Sequence, residues 1–216
     1  EFRRVLFRSR IGSLPDSYGL FSAYLLLKPG RIPYINRNLY YFAGKDVWKT
    51  LFDLEAMRPG MVLLSAQAPD GDPAWCDVVT LMTPVATRPW KAWEGSAPGR
   101  RPEAYTALKA AMTQATVDFA CARLPELRDA IAHTYAATPL TYRHYTGAPH
   151  GAAYGLLKDW RSIMASHIPA RTKFDNLLLT GQNLTVHGAI GVTLSAAATC
   201  SEIVGTEYLA KKIANA

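Results

Sequence analysis

Residues Phe174–Gly205 read FDNLLLTGQNLTVHGAIGVTLSAAATCSEIVG. Asn176–Thr180 has the length and apolarity of a short buried strand, and it stops at Gly181. After a polar loop come Gly188 and Gly191, and a helix is predicted over Val192–Val204. Strand, glycine-bearing turn and helix together let backbone amides at a helix start approach an anionic or electron-rich group, because glycine places no side chain in the way. On spacing alone two readings of these glycines stay open: such a cradle, or a tightly packed ordinary turn. Ser195, Ala196, Ala197, Ala198 and Ser201 make the helix slim enough to lie close to a sheet or another backbone. No GxGxxG fingerprint occurs in the chain, so this segment is not a complete dinucleotide site by itself.

Working upstream, Gly151 and Gly155 flank a loop that carries Tyr154. Thr138–Pro139 supplies an N-cap and a proline at the first helical position, which predicts a short helix to Tyr145 stopped by Gly147. Ile131–Ala137 reads as a strand. Pro102 opens the clearest helix, limited by Pro125 to about Arg123, with Tyr105, Leu108, Met112, Ala115 and Phe119 on one face. Further strands are predicted at Phe21–Leu27, closed by Lys28–Pro29–Gly30, and at Asn38–Phe42, Met61–Ala66 and Val78–Met82. The turn Pro69–Asp70–Gly71–Asp72–Pro73 should pair the last two antiparallel. A short helix is expected over Asp46–Glu55, ended by Arg58–Pro59–Gly60. The fold class is α/β of the mixed α+β kind, with a mainly antiparallel sheet plus helices.

The 216 residues are 49% hydrophobic and 19% charged, the balance of a globular protein. No stretch approaches the roughly 20 consecutive apolar residues of a membrane span. The net charge of +7 is spread out, and beyond residue 9 the only adjacent basic pairs are Arg100–Arg101 and Lys211–Lys212. With no finger or aromatic RNP pattern, a solvated surface explains the charge and no nucleic acid is expected. Cys76, Cys121 and Cys200 form no CxxC pair, which disfavours structural zinc or a disulfide framework and suits a reducing, cytosolic setting. His133, His144, His150, His167 and His187 show no HExxH or other ligand spacing, and Ser195 lacks a GxSxG elbow, so no metal site and no nucleophile are assigned. Glu1–Ser9 (EFRRVLFRS) resembles a translated sequencing adapter and is set aside as non-native.

The segment Asn176–Gly205 resembles the C-terminal flavin-contact motif of the phytoene desaturase, carotenoid isomerase and retinol saturase group of NAD(P)/FAD-dependent oxidoreductases. Asn176–Gly181 matches the strand end. Gln182 falls where many members place an acidic residue, and His187–Gly188 where members often have Pro–Gly. A second match, ATPLTYRHYTGAPHGAAYG over Ala137–Gly155, resembles the stretch before that motif. The resemblance implies a C-terminal fragment of a two-domain, Rossmann-type flavoprotein: 10–137 in the substrate domain, and 138–216 returning to the FAD-binding domain. It implies FAD held through Gly181, Gln182, Asn183, His187, Gly188, Gly191 and Val192, with amides near Gly191 and Val192 facing the flavin's pyrimidine edge. Tyr142, Tyr145 and Tyr154 are candidates to line a pocket for a lipophilic polyene, or else to pack the core.

The implied reaction adds or removes hydrogen across a C=C bond of a carotenoid, retinoid or related isoprenoid, with NAD(P)H as a potential electron donor. Catalytic residues and oligomeric state are left open. A cytoplasmic location is expected, and peripheral membrane association is compatible with it. Two other readings are an enzyme similar to the flavin amine oxidases and a non-catalytic membrane-surface module. The fragment alone is expected to be inactive and to bind no FAD.

Overall fold

The computed structural model describes residues 9–71 and 74–215. Of the expectations above, residues 1–8 of the adapter-like stretch and Asp72–Pro73 of the turn lie outside the described residues. The chain divides into two compact units: Tyr18–Ala153, and Glu1–Ser17 together with Tyr154–Ala216. The two units divide after Ala153, and the helix that follows Thr138 packs on the strands before it.

The first unit is a five-stranded, wholly antiparallel sheet. Its strands are β1 (Gly19–Leu27), β2 (Leu39–Phe42), β3 (Met61–Gln67), β4 (Val78–Val85) and β5 (Ile131–Ala137), ordered β2-β3-β4-β1-β5. β3 and β4 pair antiparallel as expected, with Leu64 opposite Leu81. Because side chains alternate along a strand, Phe21, Ala23, Leu25 and Leu27 of β1 all point to one buried face. Val62 and Leu64 of β3 and Val79 and Leu81 of β4 join them there.

Helix α1 (Val47–Phe52) is shorter than the expected Asp46–Glu55. Asp46 stays outside as the N-cap, its carboxylate accepting the Lys49 N–H at 3.0 Å, and Leu54–Ala56 forms a separate 3-10 turn. Helix α2 (Glu103–Cys121) covers the inner face of the sheet; Pro102 stands at its N-cap. The buried stripe begins at Tyr105 and Met112 as the periodicity predicts, then runs through Thr116, Val117, Ala120 and Cys121. Thr116 is accommodated there because its hydroxyl donates to the Met112 carbonyl at 2.7 Å. A second cluster gathers Phe21, Trp90, Tyr105, Met112 and Leu140, with Trp90 meeting Phe21 and Tyr105 at ring-centroid distances of 6.3 and 5.8 Å. Helix α3 (Pro139–Thr146) starts as predicted and runs one residue past the expected Tyr145, with a capping box at Thr138 and Gly147 at φ 71° ending it.

The second unit is mainly helical. Helix α4 (Gly188–Val204) and helix α5 (Thr206–Ala214) follow one another across Gly205. Two sequence expectations are corrected here. Asn176–Thr180 is not a strand: Leu178 makes one isolated antiparallel bridge to Arg171, and Leu177 is exposed. A strand exists only where a neighbour takes its amides and carbonyls, and this segment is instead fastened to α4. The helix starts at Gly188, not Val192, so Gly191 and Val192 lie within it and not in a turn before it.

Candidate functional site

The candidate site is built from the second unit's two glycine-bearing loops. Residues 15–17 run alongside 154–157: the Ser17 N–H donates to the Gly155 carbonyl at 2.7 Å, and the Leu157 N–H to the Pro15 carbonyl at 2.8 Å. This fixes the loop carrying Tyr154. The second loop, 181–187, is tied to the first by Asn183, whose Oδ1 accepts the Leu156 N–H at 2.9 Å. Gly155 is needed at that crossing. Its φ is +69°, and a Cβ added there would sit 2.1 Å from Asn183 Oδ1.

Lys158 locks the same crossing. Its ammonium donates to the carbonyls of Ser166, Asn183 and Leu184 at 2.6, 2.8 and 3.2 Å. Those three bonds use every donor an ammonium has. Burial lowers its pKa from the ordinary lysine value. Leu184, itself buried, also accepts the Ile168 N–H at 2.8 Å.

Helix α4 holds the 171–181 segment through three residues on one face. Ser195 Oγ accepts the Gly181 N–H at 3.0 Å, Thr199 Oγ1 donates to the Leu179 carbonyl at 2.8 Å, and Glu202 pairs with Arg171 at 2.7 Å. Positions four and three residues apart share a helix face, which explains the slim, hydroxyl-bearing sequence: the backbone segment lies directly on the helix. Ser195 is buried and anchors Gly181. It was legible only as a non-nucleophile, and the roles of Lys158, Ser195 and Thr199 were not foreseen; serine and threonine spaced four apart on a small-residue helix was the available clue.

At the helix start the residues from the two loops meet. The Tyr154 and His187 rings stack at a centroid distance of 4.4 Å and 24° between planes. His187 is the N-cap residue, and its side chain makes no capping hydrogen bond. The first amides of a helix lack an intrahelical acceptor and carry the positive end of its dipole; here these include Gly188, Ala189 and Ile190. Gly188 has φ +80° and Gly181 φ +110°, and a Cβ added at either would meet nothing within 4 Å. Gly191 is different. A Cβ there would lie 2.2 Å from the Val186 carbonyl oxygen, so this glycine serves close internal packing. Gln182 is half-buried beside Gly181.

Of the ten candidates, Tyr154, Gly181, Gln182, Asn183, His187, Gly188, Gly191 and Val192 belong to this unit. Tyr142 and Tyr145 belong to the sheet unit: Tyr142 shares a 2.6 Å hydrogen bond with Ser22, and Tyr145 is 80% exposed beside His144. A separate cavity of about 530 Å³ in the sheet unit, lined by Lys49, Thr50, Arg58 and Phe119 among others, includes none of the ten. Among the described residues no group of three potential metal ligands occurs, and no helix is long and apolar enough to cross a membrane.

No family model matches the chain. The all-trans-retinol 13,14-reductase of Homo sapiens is 26% identical over 215 residues, covering 91% of this chain and 35% of its own length. The protein of the same name from Macaca fascicularis gives the same identity and coverage. That from Rattus norvegicus is 30% identical over 143 residues, 62% of this chain and 23% of its own length. The chain is thus similar over most of its length to proteins named all-trans-retinol 13,14-reductase, and it spans about a third of the length of the human relative.

Proposed function

We propose that the protein carrying this chain is an FAD-dependent oxidoreductase that adds hydrogen across a C=C bond of a retinoid or a related isoprenoid polyene. The observation that carries the reading is the start of α4 at Gly188, where His187 makes no side-chain cap, beside the stacked Tyr154 and His187. The names of the matched relatives support the substrate class and the reaction. The Rossmann-type dinucleotide domain and NAD(P)H as electron donor belong to the same proposal, as does a cytoplasmic site in peripheral contact with the membrane that dissolves the polyene.

The residues present fit a flavin at this end of the helix. Glycine at 181 and 188 leaves two open backbone faces, and the amides of Gly188, Ala189 and Ile190 offer hydrogen bonds and positive potential to an electron-rich ring edge. Gln182 and Asn183 would contact ribityl hydroxyls, Asn183 through its amide nitrogen since its oxygen holds Leu156. His187 and Tyr154 wall one side, and Gly191 fixes the helix start by its close packing on the Val186 carbonyl. Such an end stabilises negative charge delivered onto the ring. When bound, FAD supplies the hydride chemistry. Tyr154 stays a candidate to line the polyene pocket.

The test is to express the complete gene product and record its visible spectrum, then supply all-trans-retinol with a reduced donor. A yellow protein that shortens the conjugated system of the polyene is the expected outcome. A colourless preparation that takes up no added FAD would remove the reading.

A further inference from the structure

The sheet unit holds a smaller cavity, of about 50 Å³, between α3 and the loop 94–101 that leads into α2. Arg101, Arg143 and His144 line it together with Trp93, Glu94 and Leu140. Two guanidiniums thus border one small space, and neither makes an ion pair among the described residues. Glu94, the carboxylate in the wall, is engaged with a different group: its Oε1 lies 2.6 Å from His150 Nδ1. Like charges at one cavity repel, and more strongly where protein displaces water. The wall is short of negative charge.

The Arg101 guanidinium is held in place by the protein itself. It lies over the Tyr105 ring at 4.5 Å from the centroid and donates from Nη1 to the Tyr105 hydroxyl. That hydroxyl in turn shares a 2.9 Å hydrogen bond with the buried Thr138. On the other edge of the fork, Nη2 reaches the Leu140 carbonyl at a long 3.4 Å, and Nε is buried with no hydrogen-bond partner. Buried donors are ordinarily satisfied. Stacking on Tyr105 explains where the guanidinium plane lies, but not why the Nε–Nη2 edge, the one that takes an oxyanion side-on, has no strong acceptor. Arg143, on the α3 side, gives one bond from Nη1 to the Glu94 backbone carbonyl at 2.8 Å. The remaining N–H groups of both forks have no acceptor among the described residues.

We infer that Arg101 and Arg143 bind a phosphate group at this cavity, as the free ion or as the end of a phosphate ester. Two forks, one from α3 and one from the loop, offer more donors than the two oxygens of a carboxylate take up. A phosphate presents three or four oxygens on a tetrahedron and a charge of about −2, which balances two guanidiniums. A volume of about 50 Å³ holds one such group and excludes a nucleotide or a lipid, so the body of an ester stays outside. The bound group ties the loop 94–101 to α3, and binding therefore stabilises the fold. The site uses no residue of the flavin reading and goes beyond it.

The experiment titrates the complete protein calorimetrically with inorganic phosphate and, separately, with glycerol 3-phosphate, at an ionic strength held constant with sodium chloride. Wild type should bind phosphate, and its melting temperature should rise with phosphate concentration beyond the chloride control. Arg143→Gln and Arg101→Lys should each weaken binding about tenfold or more, the scale of a lost charge-assisted hydrogen bond. The lysine keeps the charge but not the fork. Arg143 is exposed, so Arg143→Gln decides the matter if Arg101→Lys does not fold. Tighter binding of the ester, lost in Arg143→Gln, assigns the site to the end of a larger molecule. Equal or weaker binding of the ester, with phosphate binding lost in the same variant, assigns it to the free ion. No binding beyond the chloride control overturns the inference. Phosphate binding that survives both substitutions, or that is lost instead in Arg58→Gln at the larger cavity, likewise overturns it.

Discussion

Tyr154 and His187 stack with ring centroids 4.4 Å apart and 24° between their planes, although they come from separate loops of the second unit. The contact joins the end of one family-like segment to the start of α4 in the other. Replacing His187 with alanine removes the stack without touching the helix amides. The expected cost to stability is small, roughly 0.5–1.5 kcal/mol for such a ring pair. In the complete protein the flavin absorbance band should shift and its fluorescence rise, because one wall of the proposed ring site is gone. An unchanged flavin spectrum in His187→Ala would place the cofactor elsewhere.

Gly188 and Gly191 should respond differently to the same substitution. Gly191→Ala drives a methyl group to 2.2 Å from the Val186 carbonyl, so the chain entering the helix must move. A loss of roughly 2–3 kcal/mol in stability is expected, typical of an overpacked buried position. Gly188→Ala meets no atom and costs only its left-handed backbone, about 1–2 kcal/mol. Its larger effect should fall on FAD content, since the new methyl group stands at the open helix start. Denaturant melts beside flavin-to-protein ratios separate the two outcomes.

Much of the sheet unit was legible because its strands are apolar runs closed by proline and glycine. Ile131–Ala137 and the antiparallel pairing of β3 with β4 came out as expected, and Thr138 with Gly147 bounded α3 by cap chemistry alone. The second unit was harder to read. Leu177–Leu179 looks like a strand core, but pairing is a tertiary property, and here Thr199 and Ser195 take the backbone groups that a neighbouring strand would have taken. Two glycines before a small-residue run suggested a turn, yet only Gly188 starts the helix; Gly191 is tolerated inside it because the Val186 carbonyl fills the space. Lys158 left no trace in sequence, since its three partners are backbone carbonyls.

Gly155 and Asn183 should behave as a coupled pair. Gly155→Ala places its methyl group 2.1 Å from Asn183 Oδ1 and strains a residue at φ +69°. Asn183→Ala removes the clash but frees the Leu156 N–H. In a double-mutant cycle the second substitution should cost less in the Gly155→Ala background than alone, by about 1 kcal/mol or more. Additive losses would show that the crossing of the two loops is not built as described.

Lys158→Met keeps the apolar stem and deletes the ammonium that holds Ser166, Asn183 and Leu184. The carbonyls lose charge-assisted bonds, and the second unit should weaken by about 2–3 kcal/mol. Hydrogen exchange is the discriminating measurement. The Ile168 amide, bonded to Leu184, and the Leu156 amide, bonded to Asn183, should both exchange faster. Amides of β1 and β4, in the other unit, should keep their protection.

Tyr142 supplies a pH test. Burial first, then the interaction with Tyr24, push its phenol up to about 12, against the opposing effect of the Ser22 hydrogen bond. A tyrosine ordinarily ionises near 10, so the folded protein favours the neutral form. The stability this contributes is complete below about pH 10 and is lost as pH rises from about 10 towards about 12, because the unfolded chain gives up that proton first. Phenolate absorbance should therefore show one tyrosine ionising late, and Tyr142→Phe should erase that late step. In the same variant the fall in melting temperature across this alkaline window should become shallower. A late step that persists in Tyr142→Phe would assign it to a different tyrosine and break the link between the Ser22 contact and the phenol.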